Sequence, residues 1–313
     1  MHGAVGYRRI AGPAMTKGRS SLVSTGATTA PKVFDIAGDL RVRRLGFGAM
    51  RITGPMAWGE PEDRSASIAV LRRAVDAGVT LIDTAEAYGP YVSEELIKEA
   101  LHPYPVSLVI ATKGGLVRTK KLQPVPIPLG RPEFLRQGVE MSLRRLGLER
   151  IDLYQLHRID PAVPLHDQLG ELDSLRQEGK IRHIGLSEVT VHELQQARAL
   201  APIASVQNRY SVAMRQSQDV LDYAAAEGIA FIPWAPRALG PLADPDSMLT
   251  QKARERRVTP AQLALAWLLH VSPVILPIPG TSNITHLDEN VAAADINLTQ
   301  DDVSVLSALG ASG

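Results

Sequence analysis

The chain has 313 residues, of which 45% are hydrophobic and 21% are charged, and its formal net charge is +1. These values are ordinary for a soluble globular protein and give no reason to expect a nucleic acid or an anionic membrane surface as a partner. The absence of cysteine excludes disulfides, thiolate nucleophiles and cysteine-based zinc sites, and no metal site is predicted.

Residues 1–32 differ in composition from the rest of the chain, because they contain five basic residues and no acidic one. A basic, acid-poor segment is typical of a transit peptide, but neither an amphipathic apolar stripe nor a secretory apolar core accompanies it here. We therefore interpret residues 1–32 as a disordered basic tail, or as sequence that precedes a start at Met15. Residues 33–313 are predicted to form one domain.

The first predicted element of that domain is a β-hairpin, since KVFDIAGDLRVRRLG has two β-rich runs around a turn at Gly38-Asp39. After it, one unit repeats: a β-rich apolar run is followed by a polar loop and then by an amphipathic helix. The eight runs, in chain order, are LGFGAM, TLIDTA, SLVIATKG, IDLYQLHR, RHIGLSE, IASVQNRYS, IAFIPWAP and VILPIPG. A last helix, TQDDVSVLSALG, follows the eighth pair.

Alternation of strands with helices implies parallel strands joined by crossovers, and eight such pairs close into a barrel. The predicted fold is therefore α/β: a (β/α)8 TIM barrel with an N-terminal β-hairpin and a C-terminal extra helix. The most apolar stretch begins at Leu263 and is broken by His270 and Pro273. It predicts a buried helix followed by a buried strand rather than a membrane span.

The ends of these predicted strands carry polar side chains, and in a TIM barrel the carboxyl ends of the strands surround the active site. Each such residue alone has an ordinary structural explanation, for example as a solvated charge or a core histidine. The repetition of the pattern at one end of the strands favours a site. The strand-end residues are Asp83, Lys113, His157, Ser187, Gln207 and Trp234, with Tyr88 in the loop after Asp83.

Asp83, Tyr88, Lys113 and His157 together suit the reduction of a carbonyl group. A nearby ammonium lowers the pKa of a phenol, so Lys113 is expected to tune Tyr88 while Asp83 holds Lys113 protonated. Tyr88 would then give a proton to the carbonyl oxygen, and His157 would donate a hydrogen bond to the same oxygen.

A hydride source is needed, and the sequence does not predict a Rossmann domain for it. The segment GFGAMR from Gly46 fails the dinucleotide fingerprint at its last position, and no acidic residue follows at the ribose-binding distance. A nicotinamide lying across the barrel mouth is the alternative. Ser187 and Gln207 have the donors and acceptors that an amide needs, and Trp234 offers a flat face for stacking.

Several motifs resemble, in order, those of the aldo-keto reductase superfamily: DTAEAYG, ATKGG, YQLHR, GLSE, VQNRYS, FIPWAP and IPGTSNITHLDEN. The resemblance covers roughly residue 33 to the C-terminus and is closest in pattern to the bacterial pyridoxal-reductase-like branch. It implies an NADPH-dependent oxidoreductase with a catalytic tetrad and Tyr88 as general acid. It also implies a set of cofactor-binding residues, namely Ala49, Met50, Arg51, Ser187, Gln207, Trp234, Pro236, Gly280, Ser282, His286, Glu289 and Asn290.

Two of these motifs depart from the common pattern. Glu188 stands in GLSE where many members carry Asn, and Gly280 and His286 replace the Lys and Arg of the aldose-reductase branch. The IPGTSNITHLDEN version is similar to the potassium-channel beta-subunit branch, in which small and polar groups receive the 2′-phosphate. Ser282, with the helix that begins near Thr285, is expected to meet that phosphate.

The main functional prediction is the NADPH-dependent reduction of aldehydes or ketones to alcohols, with pyridoxal among the possible substrates. One alternative is a non-catalytic NADP-binding regulatory subunit resembling potassium-channel beta subunits. Another is a barrel lyase with Lys113 as a Schiff base, which the expected carboxylate beside Lys113 disfavours. We also expect a cytoplasmic monomer or weak homo-oligomer whose partner is a small-molecule carbonyl substrate, without nucleic acid or membrane.

Overall fold

The computed structural model describes residues 1–2, 30–120, 126–237 and 240–309. The predicted disordered tail lies almost entirely outside the described residues. Residues 30–32 at its end are described, and Arg44 donates hydrogen bonds from its backbone nitrogen to the Lys32 carbonyl (3.0 Å) and from Nη1 to the Pro31 carbonyl (3.2 Å). Contacts with the barrel therefore begin just before residue 33.

A parallel sheet of seven strands forms the centre of the described fold. The strands are β1 (Val33–Ile36), β2 (Leu40–Arg43), β3 (Phe47–Gly48), β4 (Leu81–Asp83), β5 (Val109–Gly114), β6 (Leu116–Val117), β7 (Ile127–Pro128), β8 (Ile151–Leu156), β9 (Ile181–Ser187), β10 (Ile203–Gln207) and β11 (Ala230–Phe231). The order in the parallel sheet is β11-β10-β9-β8-β5-β4-β3, and two short antiparallel pairs, β1-β2 and β6-β7, lie outside it.

The eighth predicted strand closes the barrel but pairs irregularly. Leu276 donates a backbone hydrogen bond to the Phe231 carbonyl (2.8 Å), and Gly46 donates one to the Pro277 carbonyl (2.9 Å) on the other side. Pro277 and Pro279 have no N–H to donate, so a regular ladder cannot form along this run. The curled sheet is thus a closed (β/α)8 barrel, as predicted.

Glycines permit the close approach of β3 and the eighth predicted strand, at the seam where the barrel closes. A Cβ atom on Gly48 would lie 2.6 Å from the carbonyl oxygen of Ile278, and one on Gly280 would lie 2.4 Å from the Gly48 oxygen. Such distances are far inside van der Waals contact, so side chains at these two positions would push the seam apart.

The N-terminal hairpin closes the amino end of the barrel. Ile36 of β1 pairs with Leu40 of β2, and the turn between them contains Gly38, whose φ is +79°. The buried residues Ile36, Leu40 and Val42 belong to the same apolar cluster as the barrel-interior residues of the sheet. The site-bearing end of the barrel therefore lies opposite the hairpin.

Ten α-helices surround the described sheet: α1 (Arg64–Asp76), α2 (Val92–Leu101), α3 (Pro132–Leu146), α4 (Leu165–Gln177), α5 (Val191–Arg198), α6 (Gln218–Ala226), α7 (Met248–Glu255), α8 (Pro260–Val271), α9 (Ile284–Ala292) and α10 (Gln300–Leu309). Helix α8 begins at a capping box of Thr259 and Gln262 and is buried from Leu263 to Leu269, as its uninterrupted apolar run predicts. The C-terminal extra helix is α10. Helix α7 lies between the seventh predicted strand, IAFIPWAP, and α8.

No helix in the described ranges is long and apolar enough to cross a membrane. Across those same ranges, no group of three or more histidine, aspartate or glutamate side chains is placed to hold a metal ion.

Candidate active site

The predicted catalytic side chains come from the carboxyl ends of neighbouring parallel strands. Asp83 is the last residue of β4, Lys113 lies near the end of β5, and His157 directly follows β8. These strands are adjacent in the order β4-β5-β8, and Asp83 pairs with Ala111 in register. The barrel therefore brings together three residues that are up to 74 positions apart (157 − 83) in the chain.

An ion pair between Lys113 and Asp83 forms the base of the site. Lys113 Nζ lies 2.7 Å from Asp83 Oδ2 and donates a second bond to the Thr84 carbonyl at 2.8 Å. Both charged side chains are buried, with 0% and 2% of their surface exposed. Burial is the largest single influence and favours a neutral amine, but the charges and hydrogen bonds of Asp83 and Tyr88 together outweigh it, and the pKa of Lys113 is raised.

Tyr88 is placed directly above this ammonium. Lys113 Nζ donates to the Tyr88 hydroxyl at 3.3 Å and lies 5.0 Å from the centre of its ring. Desolvation raises the pKa of Tyr88, while the charge on Lys113 lowers it and that on Asp83 raises it. The effect of Lys113 has the expected sign, but the net direction is opposite to the expected lowering, because dehydration of the phenolate is the larger contribution.

His157 packs against Tyr88 edge to face, with ring centres 6.1 Å apart and an angle of 84° between the rings. Burial, followed by the charges on Lys113 and Arg158, holds the pKa of His157 well below its usual value. The imidazole is therefore neutral at physiological pH and carries one N–H. A neutral histidine beside a phenol is better suited to donating a hydrogen bond to a carbonyl oxygen than to acting as the general acid.

Asp83 is fixed through its second oxygen by two amides. Gln155 Nε2 donates to Asp83 Oδ1 at 3.1 Å, and Gln207 Nε2 donates to the same atom at 2.9 Å. Sequence reasoning missed Gln155, although a glutamine two residues before His157 in a buried strand points to the same side of that strand and is a recognisable signal. Gln207 is at the predicted place, with its amide group bonded to Asp83.

Ser187 and Trp234 lie at the mouth of the barrel, and each has a partner that the sequence did not predict. Arg158 Nη1 donates to Ser187 Oγ at 3.1 Å. Trp234 Nε1 donates to Glu188 Oε1 at 2.5 Å, and the guanidinium carbon of Arg209 lies 5.2 Å from the centre of the indole ring. Glu188 thus fixes the edge of the indole, while Arg209 covers one of its faces.

The far end of the mouth is formed by the segment from Gly280 to Asn290. Asn283 caps α9 by accepting a hydrogen bond from the backbone nitrogen of His286 at 3.1 Å, and the side chains of Ser282 and His286 are exposed. Asn290 is buried, and its Nδ2 atom has no hydrogen-bond partner among the described residues. Glu289, one residue earlier, is partly buried.

A second arginine, Arg237, joins the predicted Arg51 beside this segment. Arg237 Nη2 donates to the Gly280 carbonyl at 2.8 Å. Its pKa is lowered by burial and then by the positive charge on Arg51, so the two guanidinium groups are close enough to repel each other. Of the other residues predicted there, Ala49 and Pro236 are buried and Met50 is exposed. Sequence reasoning missed Arg237, because a single arginine in a long loop carries no distinguishing pattern.

Comparison with known proteins identifies the class. The model of the aldo/keto reductase family matches residues 44–311, and the chain therefore belongs to that family and is an oxidoreductase. The predicted family, barrel fold and enzyme class are confirmed.

Particular relatives agree with this assignment. The chain is 52% identical over 264 residues to an uncharacterized oxidoreductase of Schizosaccharomyces pombe, with 84% of this chain and 85% of that protein covered. It is 40% identical over 279 residues to pyridoxine 4-dehydrogenase of Escherichia coli, with 87% and 96% covered. Among solved structures, an aldo-keto reductase from Klebsiella pneumoniae in complex with NADPH superposes with a TM-score of 0.77 at 27% identity, covering 89% and 94% of the two chains.

Proposed function

We propose that this protein reduces the carbonyl group of aldehydes or ketones to an alcohol with NADPH, and that Tyr88 is the general acid. The observation that carries the proposal is the buried contact of Lys113 with both Asp83 (2.7 Å) and Tyr88 (3.3 Å), beside the neutral His157. Burying charged groups is costly, so a buried cluster of a lysine, an aspartate and a tyrosine hydroxyl favours a catalytic role.

The four side chains have distinct roles in this proposal. Tyr88 is a neutral phenol at physiological pH and therefore carries the proton that the forming alkoxide needs. The ammonium of Lys113 stabilises the phenolate that remains after the proton has left, and Asp83 keeps that ammonium charged. His157 donates its single N–H to the carbonyl oxygen and holds it within reach of the Tyr88 hydroxyl.

The cofactor is NADPH, as the sequence predicts, and it supplies hydride to the carbonyl carbon. Ser187, Gln207 and Trp234 would hold the nicotinamide, as the sequence predicts. Arg51 and Arg237 would face its phosphates, because two guanidinium groups that repel each other gain most from an anion between them. The exposed N-terminus of α9 with Ser282 and His286 would receive the 2′-phosphate, and Glu289 and Asn290 would meet the adenine.

Small aldehydes are the proposed substrates, and pyridoxal is the first to test. The support is the 40% identity to the pyridoxine 4-dehydrogenase of Escherichia coli over 96% of that protein. The cytoplasmic location and the monomeric or weakly associated state stay predictions.

The test is the loss of NADPH absorbance with a panel of aldehydes and ketones that includes pyridoxal. Many turnovers per enzyme molecule are expected. The regulatory-subunit alternative, for which no comparison gives support, predicts instead that bound cofactor is oxidised once and not replaced. The Schiff-base alternative is tested separately: borohydride with a carbonyl substrate is expected to leave Lys113 unmodified, because its ammonium is paired with Asp83.

A further inference from the structure

Arg158 directly follows His157 and lies at the centre of the proposed site. Its Nη1 atom donates to the His157 carbonyl at 2.6 Å and to Ser187 Oγ at 3.1 Å. These two bonds fix the guanidinium between the proposed carbonyl-binding histidine and the proposed nicotinamide-binding serine. Among the described residues, no partner accepts from its Nε or Nη2 atoms, and these donors remain available to a ligand.

The charge of Arg158 is not neutralised by a contact ion pair with any described carboxylate. Glu188 is near enough to act on it electrostatically, but Glu188 Oε1 already accepts from Trp234 Nε1 (2.5 Å) and from the Arg209 backbone nitrogen (2.8 Å). Burial lowers the pKa of Arg158, yet an arginine stays charged at physiological pH. The site therefore holds a partly buried positive charge with unused donors.

The catalytic cluster does not account for this charge. Lys113 already supplies the ammonium beside Tyr88, and the arginines that would face the cofactor phosphates, Arg51 and Arg237, lie at the Gly280 end of the mouth. The nicotinamide carboxamide that Ser187 would hold is neutral. A ligand anion on the substrate side is what the unused donors of Arg158 fit, since guanidinium binds carboxylate, sulfonate and phenolate oxygens through paired N–H groups.

We propose that Arg158 is a specificity-determining residue that selects carbonyl compounds with an anionic oxygen group adjacent to the reacting carbonyl. The anionic group must be adjacent to the carbonyl because Arg158 directly follows His157, which would hold the carbonyl oxygen, and its charge acts on Tyr88. An anion on the neighbouring carbon atoms of the substrate would meet this guanidinium, whereas an anion on the opposite side of an aromatic ring would not. This inference rests on the proposed function.

The experiment uses three aldehydes with the full-length enzyme and NADPH: 2-formylbenzenesulfonate, 4-formylbenzenesulfonate and benzaldehyde. A sulfonate is anionic at every working pH and does not form a ring with the aldehyde. Wild-type enzyme is expected to show a kcat/KM for the 2-isomer about 10- to 150-fold above that for the 4-isomer. This is the factor that one hydrogen bond to a charged group contributes to binding. Most of this difference should appear in KM, because Arg158 binds a group that does not change during the reaction.

Arg158→Met is expected to remove the preference for the 2-isomer over the 4-isomer, and Arg158→Lys is expected to keep part of it. Because the preference is a ratio within one enzyme, general damage from losing the bond to Ser187 cancels. Arg209→Met is the matched control and should keep the preference, since it removes a different guanidinium at the mouth, the one that lies over Trp234. Melting temperature and NADPH affinity of each variant report its folding.

The outcomes separate the two proposals. If wild-type enzyme reduces none of the aldehydes, including pyridoxal, the proposed function fails. If it reduces benzaldehyde but shows no preference for the 2-isomer over the 4-isomer, or if Arg158→Met keeps that preference, or if Arg209→Met loses it as completely as Arg158→Met does, the assignment of Arg158 is overturned and the reductase activity stands.

Discussion

Lys113 Nζ lies 2.7 Å from Asp83 Oδ2, and both side chains are buried. The pair is held from both sides: Thr84 accepts from the ammonium, and two glutamine amides donate to the carboxylate. A buried ion pair satisfied in this way still costs desolvation, and replacing it with neutral groups is often harmless to stability. The presence of this costly pair therefore points to chemistry rather than to folding.

This relationship gives a prediction on stability. Lys113→Met should lower the free energy of unfolding by roughly 3–5 kcal/mol, because it leaves the Asp83 carboxylate buried without its counter-ion. The double variant Asp83→Asn/Lys113→Met should be clearly more stable than Lys113→Met alone, since the stranded charge is gone. Urea unfolding of the wild type, both single variants and the double variant measures this coupling. Additive losses would show that the two groups do not interact energetically.

A second prediction concerns the proton donor. Tyr88→Phe should lower kcat by roughly 10²- to 10⁴-fold, because the variant keeps the ring but has no proton to give. Affinity for NADPH, measured by fluorescence titration, should stay within a fewfold of wild type. Tyr91→Phe is the control, since Tyr91 is an exposed neighbour whose ring packs on Arg145, and it should keep wild-type kcat. A Tyr88→Phe enzyme with a tenth or more of wild-type kcat would exclude Tyr88 as the general acid.

A third prediction follows from Glu86, a buried carboxyl group in the same loop as Tyr88. Burial, with a smaller contribution from the charge on Glu94, raises its pKa to about 7, although the Gly115 backbone nitrogen donates to it at 3.0 Å. A carboxyl group with a raised pKa in the folded state favours the protonated form there. Glu86 should therefore make the protein less stable as pH rises from its unfolded value near 4.5 to about 7.

The size of this effect is about 3 kcal/mol, because the pKa rises from 4.5 to about 7 and a tenfold change in proton affinity corresponds to about 1.36 kcal/mol. Glu86→Gln keeps a carbonyl oxygen for Gly115 but cannot ionise, so it should stabilise the protein at pH 8 and change little at pH 4.5. Urea unfolding at several pH values between 4.5 and 8 measures the difference. A pH-independent effect of the substitution would contradict the raised pKa.

Much of the fold and of the site follows from the sequence, and the omissions have physical reasons. Asp83, Lys113 and His157 can be placed because parallel strands align their carboxyl ends, so strand order alone brings them together. The partners of those groups cannot be placed in this way. The hydrogen bonds from Arg158 to Ser187 and from Arg237 to Gly280 depend on the direction that a long, flexible side chain takes from a loop. The net direction of the Tyr88 pKa was missed for a related reason: it depends on the extent of dehydration, which spacing does not reveal.

The last prediction separates the two anionic parts of the cofactor. NADPH should be preferred to NADH, because only NADPH carries the 2′-phosphate that the exposed Ser282 and His286 would meet at the N-terminus of α9. The double variant Ser282→Ala/His286→Ala should lower kcat/KM for NADPH and leave that for NADH nearly unchanged. The helix itself should persist, since its cap is the side chain of Asn283.

Arg237→Met is expected to behave differently. Its guanidinium is bonded to the Gly280 carbonyl at the end of the eighth strand, close to Arg51, and would face phosphates that both cofactors share. Activity with NADH and NADPH should then fall by the same factor, roughly 10- to 150-fold for one charged hydrogen-bonding group. Steady-state kinetics with both cofactors at low and moderate salt measures these ratios. If the double variant Ser282→Ala/His286→Ala loses NADH and NADPH activity equally, the turn before α9 does not bind the 2′-phosphate. If Arg237→Met loses NADPH activity selectively, Arg237 binds the 2′-phosphate instead.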